Sequence, residues 1–291
     1  MSSIGQLIFI VIISNAGGEG KTLLAQLLQA IWMLAGEPVE LLDGDQGNMA
    51  AKVADKNARV VGWGVNALRA PEIFEATNGS HVILDLGANS LASHREIVGL
   101  LPALRRLFAD AGYRTVALMP VSTNKIGAVD AILDLEPKIV DFETLFVRVN
   151  RDNSNSFDPG LEGRSSVDVG HLRPGFQKLI RSPGASIFSV ASTPPPAHCV
   201  AGAYVADWMR RFAAQSPIVD LIGDKANPKL DEKSRQRPGP IRFPVMSLLD
   251  TTNDALIENQ RKSRILSAID RYGWNSHGLT EVVSMLGQRR L

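Results

Sequence analysis

The chain has 291 residues, 45% hydrophobic and 21% charged, with 31 lysines and arginines against 30 aspartates and glutamates. A net charge of +1 excludes a global field that would draw it to nucleic acid or to a membrane surface, so any such contact needs a local patch. The single cysteine, Cys199, excludes an internal disulfide and suits a reducing cytoplasm, while the length favours one large α/β body with extensions over two equal domains.

Residues 7–13 form an isoleucine-rich apolar run, the pattern of a fully buried strand. The run is too short to cross a bilayer and no basic residue precedes it, so neither a signal peptide nor an anchor is expected. A glycine-rich turn follows, Ser14-Asn15-Ala16-Gly17-Gly18-Glu19-Gly20-Lys21-Thr22. Beyond it Leu23, Leu24, Leu27, Leu28 and Ile31 recur at helical spacing. Strand, glycine turn and helix in this order are what a phosphate-binding loop needs. Glycines let successive backbone N–H groups turn inward into an anion site, and the helix start adds unpaired N–H groups and its dipole. Lys21 would reach the β- and γ-phosphates, and the Thr22 hydroxyl would ligate Mg²⁺. The plain alternative is a glycine-rich turn with no ligand. The front of the loop is irregular, since Asn15 stands where the common pattern has glycine.

The next segments alternate between strand and helix patterns. Residues 38–42 read as a strand running into Asp43-Gly44-Asp45-Gln46-Gly47-Asn48, 60–65 as another strand and 71–76 as a short helix. Residues 81–86 form a strand that carries Asp85 at its end. Residues 93–111 make an amphipathic helix with Ile97, Leu100, Leu101, Leu104 and Leu107 on one face. A strand at 115–121 is expected to stop at Pro120 and a polar turn, followed by a helix at 127–135 and a strand at 144–150. Such alternation predicts a mostly parallel sheet covered by helices on both faces, with ligands at the carboxyl ends of the strands.

Two strand-ending aspartates bear on chemistry, because phosphoryl transfer needs Mg²⁺ and a group that positions the attacking water. Asp85 suits a carboxylate that holds the metal through its water shell. Asp43 would support that shell from the neighbouring strand, leaving Asp45 to orient the water. Aspartates at strand ends also cap turns and helices, which is the alternative for each of them.

The segments Gly17-Gly18-Glu19-Gly20-Lys21-Thr22, Leu42-Asp43-Gly44-Asp45-Gln46-Gly47-Asn48 and Ile83-Leu84-Asp85 resemble the motifs of the ParA/MinD family of P-loop ATPases. The likeness extends over roughly residues 5–215, including the apolar strand ending in Pro120-Val121 and the stretch Val147-Arg148-Val149-Asn150-Arg151. It implies a doubly wound, mostly parallel sheet of the P-loop NTPase class, with ATP and Mg²⁺ as ligands. Gly17, Gly18, Glu19, Gly20, Lys21, Thr22 and Leu23 would surround the phosphates with Asp43 nearby, and Thr22 and Asp85 would serve the metal. Lys21 and Asp45 would be the catalytic pair, and Asn150 would read the adenine edge. The resemblance also implies an ATP-dependent homodimer that engages a partner protein or DNA. The chain also departs from the family pattern, in part by a short interval between Asp45 and Asp85 that leaves room for little more than one strand and one helix. The family's first loop lysine falls at Ala16, which removes one source of charge stabilisation. Glu19 adds a negative side chain that would weaken phosphate affinity unless it points away to solvent.

The rest of the chain says less. Residues 150–169 read as a polar mobile loop, 174–180 as a short helix, 186–190 as a last strand and 200–214 as a helix with Trp208 and Phe212 as core anchors. Residues 225–242 hold Lys229, Lys233, Arg235, Arg237 and Arg242 among prolines, the composition of an exposed linker that could also touch DNA phosphates. Helices at 253–272 and 279–286 complete a helical C-terminal extension. The last carries an apolar stripe too short, and too poor in lysine, for membrane targeting. His171 and Cys199 lack companions at metal-ligand spacing. The expected organisation is a nucleotide-binding domain at 1–220, a basic linker at 221–245 and the extension at 246–291. The expected function is a cytoplasmic ATPase of the ParA/MinD type, in plasmid or chromosome partition or conjugative DNA transfer. A hydrolysis-poor regulatory protein and a small-molecule P-loop kinase or ligase are the alternatives.

Overall fold

The computed structural model describes residues 6–45, 51–52, 55, 57–61, 69–77, 79–88, 95–123, 125–139, 141–182, 184–194, 199–223 and 225–235. The chain divides into two compact units, one made of residues 1–172 and 180–236, the other of 173–179 and 237–291. In the second unit the described residues are 173–179, of which 174–179 belong to a helix at Pro174–Ile180. The helices expected at 253–272 and 279–286 lie outside the described residues, as does much of the strand expected at 60–65.

The first unit is built on a seven-stranded, wholly parallel sheet: β1 (Ile8–Ile12), β2 (Val39–Gly44), β3 (Arg59–Val60), β4 (His81–Leu86), β5 (Arg114–Ser122), β6 (Glu143–Val149) and β7 (Ser166–Val169). Their order across the sheet is β3-β2-β4-β1-β5-β6-β7. Helices α1 (Lys21–Ala35), α2 (Ala70–Thr77), α3 (Arg95–Asp110) and α4 (Ala128–Leu133) connect the strands. After α5, the Pro174–Ile180 helix, come α6 (Ile187–Ser192), α7 (Cys199–Ala213), α8 (Ser216–Ile222) and α9 (Asn227–Arg235).

The central strand explains the layering. Every residue of β1 is buried, as a strand covered on both faces requires. Successive side chains point to opposite faces, so Phe9, Val11 and Ile13 join one core with Ile73 of α2, Leu101, Leu104 and Phe108 of α3, and Ile132 of α4. There Phe9 stacks on Phe108 at 4.3 Å, and Phe74 and Tyr113 meet Phe108 edge-on at 5.1 and 5.0 Å. On the other side α1 packs against α6, α7 and α9. The sheet is therefore doubly wound.

Four expectations are corrected. The strand expected to stop at Pro120 runs on through it to Ser122. Ile13 N–H donates to the Leu118 carbonyl, while Thr123 N–H bonds to β6, so alternate residues face alternate neighbours. The proline nitrogen thus faces the β1 side, beyond the end of that strand, where its missing N–H costs no ladder bond. Residues 186–190 are not a strand but the start of α6. Ser186 and Ser189 form a capping box there, and Ile187, Val190 and Ala191 share the buried side at helical spacing. The stretch 150–169 is not wholly loop, since Ser166–Val169 adds the edge strand β7. Finally, the linker expected from 225 is helical at Asn227–Arg235, where Ala226 and Leu230 are buried one turn apart.

The side chain of Gln215 meets the outer edge of β7. Gln215 Oε1 accepts from Asp168 N–H at 2.7 Å, and its Nε2 donates to the Asp168 carbonyl at 2.8 Å. Trp208 and Phe212 are core residues, as expected, at 2% and 1% exposure.

At the amino end of β4, His81 is buried with its ring stacked on Trp32 at 4.5 Å. Its Nδ1 accepts the Ile8 N–H at 3.3 Å, which holds that nitrogen unprotonated. Burial pushes the imidazole down from 6.5 to about 4, with Glu37 opposing. His81 therefore contributes stability that is present above pH 6.5 and lost as pH falls toward 4. In the His81→Gln variant, stability should vary less between pH 7 and 4.5 than in the native chain, as read by urea midpoints at each pH. An equally steep fall in the variant would contradict this role.

Candidate functional site

The carboxyl ends of β1, β2, β4, β5 and β6 bring the predicted residues to one edge of the sheet. The loop from Ser14 to Gly20 leaves β1 there and enters α1 through Gly20, whose φ of 88° is left-handed. A side chain at position 20 would also meet Val149 Cγ1 at 3.1 Å, so glycine is required twice over. Gly17 and Gly18 complete the turn, and Leu23 sits half-buried in the first turn of α1.

Lys21 is buried, and its ammonium donates to the Ala16 carbonyl at 2.9 Å and to Ser14 Oγ at 3.3 Å. The side chain thus folds back along its own loop. Burial lowers the Lys21 pKa from its ordinary value, while the charges of Asp85, Glu19 and Asp45 raise it. Thr22 hydrogen-bonds the Asp85 carboxyl across from β4. Asp85 is 1% exposed, and its Oδ1 has no hydrogen-bond partner among the described residues. Burial pushes its carboxyl up to about 7. The Thr22 bond and the Lys21 charge oppose the rise, and Asp43 and Asp45 add to it.

Register puts Asp43 of β2 directly beside Asp85 of β4. Asp43 is fully buried, with Oδ1 accepting from Asp45 N–H at 2.9 Å and Oδ2 from Lys52 N–H at 2.7 Å. Both oxygens accept from backbone N–H groups that follow β2, the capping role that a strand-ending aspartate often takes. Asp45 lies against Gly87, where an added Cβ would come within 3.0 Å of its Oδ1. Asn150 closes β6, buried, its Nδ2 donating to Asn155 Oδ1 at 2.5 Å and its Oδ1 without a hydrogen-bond partner among the described residues. The structure therefore gathers Lys21, Thr22, Asp43, Asp45 and Asp85 around one point and places Asn150 two strands away from β1. Residues 46–48 of the second motif lie outside the described residues.

Glu19 was expected to weaken phosphate affinity unless it pointed to solvent, and it does not point there. It is 2% exposed, and its Oε2 accepts from Ser122 N–H at 2.7 Å. Its Oε1 lies 3.0 Å from Lys125 Nζ, close enough for ion pairing though not aligned as a hydrogen bond. Lys125 also donates to the Gly17 carbonyl, and Arg151 Nη1 donates to the Gly18 carbonyl at 2.6 Å. Arg151 N–H is in turn held by Thr123 Oγ1 at 3.1 Å. Neither Lys125 nor Arg151 has a role in the motifs of the sequence. The signal available was positional: each is a cation just past the carboxyl end of a strand, on the edge that carries the glycine loop.

The residues fit a Mg²⁺–nucleotide. An orphaned carboxylate oxygen lies beside a hydroxyl and a buried ammonium, next to a loop whose glycine-only geometry suits phosphate oxygens. Thr22 and Asp85 would hold the metal, and Lys21 with the loop amides would hold the phosphates.

No family model matches the chain, and no curated protein does. Among solved structures, it is similar to MinD in the MinC:MinD cell division complex of Aquifex aeolicus, at 17% identity and a TM-score of 0.46, over 72% of this chain and 96% of that one. It is also similar to the Mg-ADP complex of the septum site-determining protein MinD of Pyrococcus horikoshii, at 15% identity and a TM-score of 0.42, over 81% and 99%. A Cyanothece McdA variant in complex with ATP matches at 12% identity and a TM-score of 0.39, over 70% and 96%. These are likenesses of fold. What the chain itself carries is a doubly wound, wholly parallel α/β sheet of seven strands, with a loop lysine, its following threonine and a strand-ending aspartate at the carboxyl edge.

Proposed function

We propose that this protein binds ATP with Mg²⁺ and uses the nucleotide state to control an association, in the manner of ParA/MinD-type ATPases. The observation that carries the reading is the Thr22 hydroxyl on the buried Asp85 carboxyl beside Lys21. A bound Mg²⁺ would supply charge neutralisation on the phosphates. Around it the chain's own groups have separate tasks. Loop amides from Gly17 to Thr22 would orient the phosphates, Lys21 would offset their charge, and Asp45 would orient a water. Asn150, whose carbonyl oxygen lacks a hydrogen-bond partner among the described residues, would accept from the exocyclic amine of adenine. Plasmid or chromosome partition and conjugative DNA transfer are the processes that suit such a switch, with a second copy, a partner protein or DNA as the associating body.

A second reading, binding with little hydrolysis, draws on Ala16 and on the commitment of both Asp43 oxygens to backbone amides. Calorimetry with ATP and Mg²⁺ tests the proposal. The Lys21→Ala variant should bind ATP at least about 100-fold more weakly, since it removes a charge-assisted contact from a buried site. Absence of binding of both ATP and GTP by the folded native chain would refute it. Turnover lost in Asp45→Ala favours the first reading, and binding without turnover under any condition favours the second. Size measured with and without ATP would test dimerisation.

A further inference from the structure

We propose that Lys125 is a second cation for the terminal phosphate of the bound nucleotide, supplied by the same chain and held ready on the glycine loop by Glu19 and the Gly17 carbonyl. The inference rests on the nucleotide reading of the site. Four carboxylates, Glu19, Asp43, Asp45 and Asp85, crowd the edge of the sheet where Lys21 stands. A polyphosphate entering there adds further negative charge, which Lys21, folded back on its own loop, and a bound Mg²⁺ would offset only in part. Lys125 lies within reach. Its ammonium contacts Gly17, a residue of the glycine loop, and it acts on Lys21 through charge. The side chain is one-third exposed, whereas its partner Glu19 is buried and anchored on Ser122 N–H, so the pair has a fixed end and an open end.

The exchange is favourable on physical grounds. The Gly17 carbonyl is a neutral acceptor, whereas a phosphate oxygen is anionic and adds Coulomb attraction to the hydrogen bond from the ammonium. An ammonium carries three donors on a flexible stem, so Lys125 can give up Gly17 for phosphate while Glu19 continues to offset its charge. Glu19 then has a clear use. It weakens nothing at the phosphates, because its own charge is matched by the lysine it presents.

The test compares ATP and ADP affinities by calorimetry in the native chain and in Lys125→Gln and Lys125→Arg, with thermal melts to confirm folding. A terminal-phosphate contact predicts that Lys125→Gln loses about tenfold or more in ATP affinity while ADP affinity stays within about twofold, and that Lys125→Arg recovers most of the loss. Equal changes for the two nucleotides, or none, would overturn the proposal and leave Lys125 as a structural latch. If the native chain bound neither nucleotide, the nucleotide reading itself would fail.

Discussion

Asp85→Asn should make the ligand-free protein more stable at pH 8 and a poorer binder of ATP with Mg²⁺. The ordinary carboxyl value is 3.8, and burial lifts that of Asp85 to about 7. Between those values the folded chain holds a proton that the unfolded chain has released. The stability that Asp85 contributes is therefore complete below pH 3.8 and lost as pH rises through 7. At pH 8 the buried charge costs on the order of 4 kcal/mol, at about 1.4 kcal/mol per pH unit, and an uncharged isostere avoids it. The same substitution removes the anion that would orient metal-bound water, and the metal-dependent part of ATP affinity should fall about 10–100-fold. Urea midpoints at pH 6 and 8, with calorimetry in the presence and absence of Mg²⁺, would check both halves. A variant less stable than the native chain at pH 8 would show that Lys21 and Thr22 already hold the carboxylate charged. His81 runs in the opposite direction between pH 4 and 6.5, so the acid limb of the native profile should be flatter than that of Asp85→Asn.

Trp208→Ala carries the largest expected loss of stability. The indole is 2% exposed among the helices on the α1 side of the sheet, and its Nε1 donates to the Gly170 carbonyl at 2.7 Å. Truncation leaves a cavity and an unpaired carbonyl together, a cost of about 3–5 kcal/mol. Trp208→Phe keeps most of the volume and loses the donor, for about 1–2 kcal/mol. Urea denaturation of both variants separates packing from hydrogen bonding. A loss under about 1 kcal/mol in Trp208→Ala would mean that α7 repacks freely.

The parts of the molecule legible in the sequence are those whose cause is local. Isoleucines 8, 10, 12 and 13 mark a strand buried on both faces, and Gly20-Lys21-Thr22 marks the helix entry. The strand-ending Asp43 and Asp85 stand side by side because β2 and β4 are neighbours paired in that register. The misreadings arose where a longer-range contact decides. Ser166-Val167-Asp168-Val169 is too short and polar to announce a strand, and only β6 makes it one. Ile187, Phe188 and Val190 have strand propensity, but the reciprocal bonds of Ser186 and Ser189 start a helix. Glu19 could not be read at all from its neighbours. Its partners, Ser122 and Lys125, lie more than a hundred residues away.

The side-chain amide of Gln215 has the same donor and acceptor as a peptide group, and on β7 it takes the place that the next strand would occupy. The last rung of the ladder is already answered, so an extended segment from another molecule would have to displace it before it could pair there. Together with Asp168 on the same short strand, this makes that rim of the sheet self-terminating. Stacking of one molecule onto another through that border is thereby discouraged.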